Sequence, residues 1–168
     1  MTDVFMYNTG SLFHALNPQQ NMLDLTDEAY QSDIMDTFKS VVSENGKIYG
    51  APFQTAMGGG VLYNKKIYAE LGLSVPKTWA DFMKNNAVIK EKTKAAPVIQ
   101  TFKDTWTSQL FFLGDFYNVL QAAPTFPDDF TANKAKFATT PAAMKGFEHQ
   151  EEVFKAGYLN EDFGSASY

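Results

Sequence analysis

The chain has 168 residues, of which 45% are apolar, enough to bury the core of one ordinary domain or of parts of two. Its net charge of −5 provides no cationic face for nucleic acid, so no nucleic-acid partner is expected. All 14 basic residues are lysine, which favours a neutral ligand over an anion, although a lysine-biased composition explains this equally well. The lack of cysteine excludes disulfides, thiolate metal sites and a cysteine nucleophile.

The first part of the chain predicts short strands and helices. Residues 3–7 are apolar and precede a polar turn, which predicts a buried strand followed by a loop. Residues 11–16 predict one or two helical turns, and residues 28–43 predict a longer helix with apolar side chains at helical spacing. Residues 47–53 and 55–62 have the composition of strands, and three glycines interrupt the second.

Helices with clear boundaries follow. A helix over residues 65–71 is predicted to end at Gly72, and Thr78 is predicted to cap the next helix, with Asp81 three residues later. Trp79 is expected in the core. Residues 97–101 predict another short strand.

The last two predicted helices begin near residues 104 and 140. Asp104 or Thr105 is expected to cap a helix whose apolar stripe consists of Trp106, Leu110, Leu113, Tyr117 and Leu120. Thr140 and Pro141 predict the start of the final helix, and Gly157 its end. Strands that alternate with helices indicate an α/β architecture with parallel pairing.

Targeting signals are not evident in the sequence. No apolar run approaches the roughly 20 residues needed to cross a bilayer, and no signal peptide precedes residues 3–7. The sequence therefore indicates either a cytosolic protein or one whose export segment has been left off.

Three stretches carry a recognisable pattern. The first is GKIYGAPFQTAMGGGVLYNKKIYAELGLSVPKTWADF, the second DVFMYNTGSL with LDLTD downstream, and the third FATTPAAMKGFEHQEEVFKAGYLNEDF. In order and separation they resemble the extracellular solute-binding proteins that serve carbohydrate ABC importers. The first stretch is specific, with a GkxYGxP turn, a YNK segment and a PxTWxxF segment.

The resemblance implies an incomplete α/β fold of the periplasmic-binding-protein type (type II) with parts of two lobes. Residues 1–57 would belong to the first lobe, 58–62 to the hinge crossing and 63–168 to the second lobe. Such proteins begin with an export signal and continue through further strands, so an extracytoplasmic location, in the periplasm or as a lipoprotein, is expected. Missing strands would leave unpaired edges, so self-association is an expected consequence.

A sugar site needs amide, carboxylate and hydroxyl groups together with a flat aromatic ring. Candidates follow predicted strand ends or flank the crossing: Tyr7, Asn8, Thr9, Gln54, Thr55, Asp104 and Trp106. For each a structural role stays open, namely a plain turn for the first three, a solvent-facing edge for the next two, a helix cap for Asp104 and a core position for Trp106. Residues 58–60 are expected to serve as hinge or close-packing glycines. A phosphate-binding loop is not expected there, because no GK[ST] ending follows them.

No arrangement of residues predicts catalysis. His14 and His149 lack the spacing of a metal site, and His149 lies among glutamates on what is expected to be a solvated helix face. Asp104 and Asp115 on one helix would be separated by about 16 Å of rise, too far for a pair of glycosidase carboxylates. We therefore expect no catalytic residues, no metal and no cofactor.

The predicted function is sugar binding in a cleft between lobes and delivery of the sugar to ABC permease subunits. The alternatives are a secreted enzyme that acts on glycans, or a structural fragment that binds nothing.

Overall fold

The computed structural model describes residues 3–54 and 60–168, apart from the side chain of Ser11. The chain divides into two compact units, Met1–Gly58, the first unit, and Gly59–Tyr168, the second unit. The predicted hinge falls partly outside the described residues. Within it, residues 60–62 form no strand and are exposed.

Short elements build the first unit. In its described part these are α1 Ser11–His14, α2 Pro18–Asn21, a 3-10 helix Ala29–Asp33, α3 Asp36–Val41, β1 Ser43–Glu44 and β2 Lys47–Ile48. The two strands pair antiparallel, with Ser43 opposite Ile48. Asn45 and Gly46 connect them with φ of 50° and 78°, the positive values that a tight hairpin turn requires.

A small apolar cluster forms the core of the first unit. Phe13, Val42 and Tyr49 are buried, and partly buried apolar side chains from α3, from β2 and from Met22, just after α2, pack on them. The LDLTD segment holds the hairpin, since the main-chain N–H of Ile48 donates to Thr26 Oγ1 at 3.0 Å and the N–H of Leu25 donates to the Ile48 carbonyl at 2.8 Å.

Three sequence predictions for the first unit are wrong in whole or in part. Residues 3–7 form no strand, and Val4 is 88% exposed, because no strand among the described residues pairs with them. The helix predicted over residues 28–43 is broken, with Ile34 and Met35 in extended conformations between Ala29–Asp33 and α3. Asp33 and Asp36 flank the break, and short polar side chains favour turns and helix starts over helix interiors. Of the strand predicted over residues 47–53, only Lys47–Ile48 is observed.

The second unit is mainly helical. Its described elements are α4 Lys65–Glu70, α5 Trp79–Lys92, a 3-10 helix Thr105–Gln109, α6 Leu110–Ala122, α7 Phe126–Thr131, a 3-10 helix Phe137–Thr139 and α8 Pro141–Lys155. Predicted boundaries are confirmed: Gly72 and Gly157 have φ of 66°, and Thr78 Oγ1 accepts from the N–H of Asp81 at 3.1 Å.

Helices α6 and α8 pack closely against each other. A Cβ at Gly146 would lie 2.8 Å from the Cα of Phe112, so only glycine permits this approach. Val119 of α6, Ala143 of α8 and Phe126 of α7 are buried and form one cluster. Aromatic rings surround this cluster, with Phe112 stacked on Phe147 at 5.5 Å.

The prediction that the apolar stripe of α6 faces the core is wrong. Trp106, Leu110, Leu113 and Tyr117 are exposed and Leu120 is half-buried, whereas Thr107 and Val119 are fully buried. Apolar residues occur all around α6, and for such a helix periodicity does not identify the buried side.

Residues 97–101 make irregular contacts with the C-terminal segment in place of the predicted strand. The bridge between Val98 and Leu159 is parallel, as predicted, but isolated. Two residues later the N–H of Gln100 donates to the side-chain Oδ1 of Asn160 at 2.8 Å, so a side chain replaces the main-chain partner. The ladder is interrupted there.

Across the described ranges, none of the helices combines the length and the apolar character that crossing a lipid bilayer requires.

Candidate ligand-binding site

The predicted site residues Asp104 and Trp106 lie together in the second unit, beside the end of the chain. Main-chain hydrogen bonds hold the segments side by side, from Phe102 N–H to the Phe163 carbonyl at 2.8 Å and from Lys103 N–H to the Ala166 carbonyl at 3.2 Å. This pairing brings Tyr168 next to Asp104 and Trp106. We call these three residues the aromatic turn.

The aromatic turn presents two exposed rings beside a carboxylate. The ring centroids of Trp106 and Tyr168 are 4.9 Å apart and the ring planes cross at 68°. Trp106 is 47% exposed and Tyr168 is 86% exposed, so the alternative of a core position for Trp106 is wrong. The N–H of Tyr168 donates to Asp104 Oδ2 at 2.7 Å. Indole, phenol and carboxylate are among the groups that suit a sugar ring.

Asp104 does not cap the following helix with its side chain. Its main-chain carbonyl instead accepts hydrogen bonds from the Thr107 N–H at 2.9 Å and the Thr107 hydroxyl at 3.0 Å. The hydroxyl shares its one hydrogen with the Thr101 carbonyl at 2.9 Å, and the side-chain amide of buried Gln100 donates to the Thr107 carbonyl at 3.2 Å. Buried polar groups satisfied in this way fix the geometry of the turn.

The remaining candidates belong to the first unit. Tyr7, Asn8 and Thr9 form an exposed loop that ends at Gly10, whose N–H donates to the Val41 carbonyl at 3.0 Å. Gly10 has φ of 71°, a conformation that glycine adopts without strain. Gln54 is exposed. Thr55 lies outside the described residues.

The strongest electrostatic feature of the first unit lies in the LDLTD segment. Asp24 Oδ2 accepts from Lys47 Nζ at 2.7 Å, and Oδ1 accepts from the hydroxyl and the N–H of Thr26. The hydrogen bond from Lys47 and then those from Thr26 lower the pKa of Asp24 to about 2. Asp24 therefore stays ionised and holds the hairpin to this segment.

His149 lies in a partly buried cluster, which corrects the prediction of a solvated position. Its ring stacks on Trp79 at 3.9 Å with planes 17° apart, and its Nδ1 lies 3.8 Å from Asp115 Oδ2. Trp79, half-buried and not fully in the core, donates its Nε1–H to Glu152 at 2.7 Å. His149 lies three residues after Gly146 and four residues before Val153, a spacing that places all three on the inner side of α8. This spacing in the sequence could have predicted the partly buried position of His149.

Tyr168 was not found by sequence reasoning. Its partner Asp104 is 64 residues away in the chain. No local pattern of residue types around position 168 points to that contact.

The sequence pattern of the family described as Bacterial extracellular solute-binding protein matches residues 12–166. The chain belongs to this family. Its members and the named relatives below are binding proteins. The fold prediction of an incomplete α/β periplasmic-binding-protein fold is thereby confirmed, together with the structural likenesses given below.

Two curated relatives carry sugar-binding names. The multiple sugar-binding protein of Streptococcus mutans is 36% identical over 84 residues, which is 50% of this chain and 20% of that protein. The melibiose/raffinose/stachyose-binding protein MelE of Bacillus subtilis is 34% identical over 76 residues, which is 45% of this chain and 18% of that protein.

Two solved structures share the fold. A chitin oligosaccharide binding protein superposes with a TM-score of 0.76 at 27% identity. A protein from a structural study of xylan utilization by Caldanaerobius polysaccharolyticus superposes with a TM-score of 0.72 at 18% identity, which shows the fold alone. In both cases the match covers 95% of this chain and 40% of the other. The chain thus spans about a fifth of the length of the curated relatives and two fifths of these structures.

Proposed function

We propose that this chain forms part of a carbohydrate-binding protein that delivers a mono- or oligosaccharide to an ABC importer and performs no catalysis. Family membership supports the role in solute binding. Two relatives with sugar-binding names and the 27% identical chitin oligosaccharide binding protein support a carbohydrate as the ligand.

The aromatic turn is the observation that carries the proposal. A pyranose presents apolar C–H patches on its faces and hydroxyl groups around its rim. The exposed indole of Trp106 matches the faces, and the carboxylate of Asp104 accepts hydrogen bonds from rim hydroxyls. An indole held at the surface by a hydrogen-bonded turn, with no core to fill, is suited to contact a ligand.

In the proposed arrangement residues 1–57 belong to one lobe, residues 58–62 cross over, and residues 63–168 belong to the other. Tyr7, Asn8, Thr9, Gln54 and Thr55 would contact the sugar from the first lobe. The sugar shifts the lobes toward the closed state by binding that state more tightly. The closed form then docks on the permease subunits, which implies an extracytoplasmic location.

Titration of the full-length binding protein with raffinose, melibiose and a chitin trisaccharide tests the proposal. Tryptophan fluorescence reports binding, and chromatography after overnight incubation reports whether the sugar is unchanged. Saturable binding with intact sugar is expected. Hydrolysed or modified sugar would instead favour the glycan-acting enzyme, and no response to any of the three would contradict the choice of ligand.

The exposed surface supports a second statement, that the 168 residues alone bind weakly and self-associate. Val4, Met6, Val61 and Leu62 are among the exposed apolar residues. Such segments pair with further strands or with a second copy.

Size-exclusion chromatography with light scattering tests this statement on the isolated 168 residues. Concentration-dependent oligomers are expected. A monodisperse monomer that binds a sugar as tightly as the full-length protein would contradict it.

A further inference from the structure

The turn of the first-unit hairpin contains the one Asn-Gly step in the sequence, Asn45–Gly46. Both residues are exposed, and their φ values are 50° and 78°. Within the described ranges, neither the side chain of Asn45 nor the N–H of Gly46 takes part in a hydrogen bond. A Cβ added at Gly46 would have no atom within 4 Å, so no neighbouring group shields this side of the residue. The side-chain amide and the nitrogen that follows it are thus both accessible.

Three asparagines with positive φ in the described part of the chain allow a comparison. They are Asn17, Asn45 and Asn133, and all three are exposed. After Asn17 the next nitrogen belongs to proline and carries no hydrogen. After Asn133 the next N–H belongs to a lysine and donates to the Asp129 carbonyl at 2.7 Å. Of the three, Asn45 is therefore the one that precedes an unbonded N–H without a neighbouring side chain.

We infer that Asn45 is a site of spontaneous deamidation, a covalent modification that is one source of the thermal lability of asparagine. The Gly46 nitrogen attacks Cγ of Asn45, the N–Cγ bond forms and the Cγ–Nδ2 bond breaks. The proton of the attacking nitrogen leaves with Nδ2 as ammonia. Water then opens the five-membered imide: its oxygen bonds to one of the two carbonyl carbons, the bond from that carbon to nitrogen breaks, and the nitrogen regains a proton. The product is aspartate or isoaspartate.

Isoaspartate at this position would disrupt the hairpin. It lengthens the main chain by one atom in a two-residue loop whose tight geometry depends on positive φ at both residues. The strands then cannot keep Ser43 opposite Ile48. Beyond the strands the N–H of Tyr49 donates to the carbonyl of Val42 at 3.0 Å, and both residues belong to the core, so the first unit should loosen. The reaction needs no ligand and is independent of the proposed carbohydrate binding.

Peptide mass spectrometry on the full-length binding protein tests the site. The protein is incubated in mildly alkaline buffer, which favours loss of the proton from the attacking nitrogen, and is digested with pepsin in acid, where the reaction is slow. The peptide with Asn45 should gain the mass difference between water and ammonia several times faster than the peptide with Asn133. Asn133 is the matched control, since it is also exposed and has φ of 57°. Equal or slower conversion at Asn45 would overturn the site.

Amide exchange tests the consequence for the hairpin. The aspartate and isoaspartate forms are separated by anion exchange, and protection of the Ile48 amide should be lost in the isoaspartate form and largely retained in the aspartate form. Asn45→Gly removes the reactive amide and supplies a residue that adopts positive φ without strain, so its Ile48 amide should stay protected through the same incubation. Full protection in the isoaspartate form would overturn the proposed loosening, as would an equal loss of protection in aged Asn45→Gly.

Discussion

The first unit consists of short elements around three buried apolar residues, and its hairpin is held by an ion pair and by a hydrogen bond to a threonine hydroxyl. In the second unit long capped helices pack through a network of phenylalanine rings around Val119 and Ala143. The two units are therefore expected to respond to different perturbations. Loss of apolar volume should unfold the second unit, whereas protonation should loosen the first.

Both tryptophans lie in the second unit, so tryptophan fluorescence reports its unfolding. Exchange of the Ile48 amide, which donates to Thr26, reports on the first unit. These two probes allow each unit to be perturbed and observed separately.

The largest effect is expected from truncation of the aromatic core. Phe126 is 3% exposed, and Phe126→Ala should destabilise the second unit by about 3–5 kcal/mol. Phe130→Ala, at a ring that is 47% exposed, is the control and should cost clearly less. Urea unfolding followed by tryptophan fluorescence measures both. Equal costs would show that the phenylalanine network does not stabilise the unit through burial.

A smaller effect is expected at the contact between α6 and α8. Gly146→Ala should cost about 1–3 kcal/mol, because the added Cβ meets the backbone of Phe112. Gly114→Ala in α6 meets no atom within 4 Å and should stabilise the helix by about 0.5–1 kcal/mol. The same unfolding measurement compares the two. A stabilising Gly146→Ala would contradict the close approach of these helices.

Removal of a helix cap should have a smaller effect still. Thr78 accepts a hydrogen bond from the N–H of Asp81, so Thr78→Ala should destabilise the second unit by about 1 kcal/mol. Thr140 makes no side-chain cap at the start of α8, and Thr140→Ala should be nearly neutral. A larger loss at Thr140 than at Thr78 would reverse the assignment of the caps.

The smallest effect is expected from the exposed Asp24–Lys47 pair. The pKa of Asp24 is lowered from 3.8 to about 2, so its contribution is present above pH 3.8 and is lost as the pH falls toward 2. The protection of the Ile48 amide against exchange, relative to the intrinsic exchange rate at each pH, should therefore decrease over this range. In Asp24→Asn the exchange should be faster at higher pH and lack this acid-dependent step. An identical pH profile in both proteins would exclude the pair as the cause.

Features fixed by a few neighbouring residues could be predicted from the sequence. The cap at Thr78 and the helix ends at Gly72 and Gly157 depend on contacts within one turn, and each was confirmed. The strand at residues 3–7 and the buried face of α6 were wrong, because both depend on which distant segments pack against them. Strand pairing and helix faces are decided by such partners.

In the candidate site, too, the contacts between neighbouring residues could be predicted and the contacts between distant residues could not. Asp104 and Trp106 were predicted from their position after an apolar segment, and the structure brings them together in one turn. Tyr168 reaches them through a contact between residues 64 apart, which no local pattern contains. The roles of all seven predicted residues in binding stay predictions, namely those of Tyr7, Asn8, Thr9, Gln54, Thr55, Asp104 and Trp106.

The bond between residue 168 and Asp104 uses an amide hydrogen that every amino acid except proline supplies. Mutation at this position can therefore replace the side chain while the anchoring bond remains.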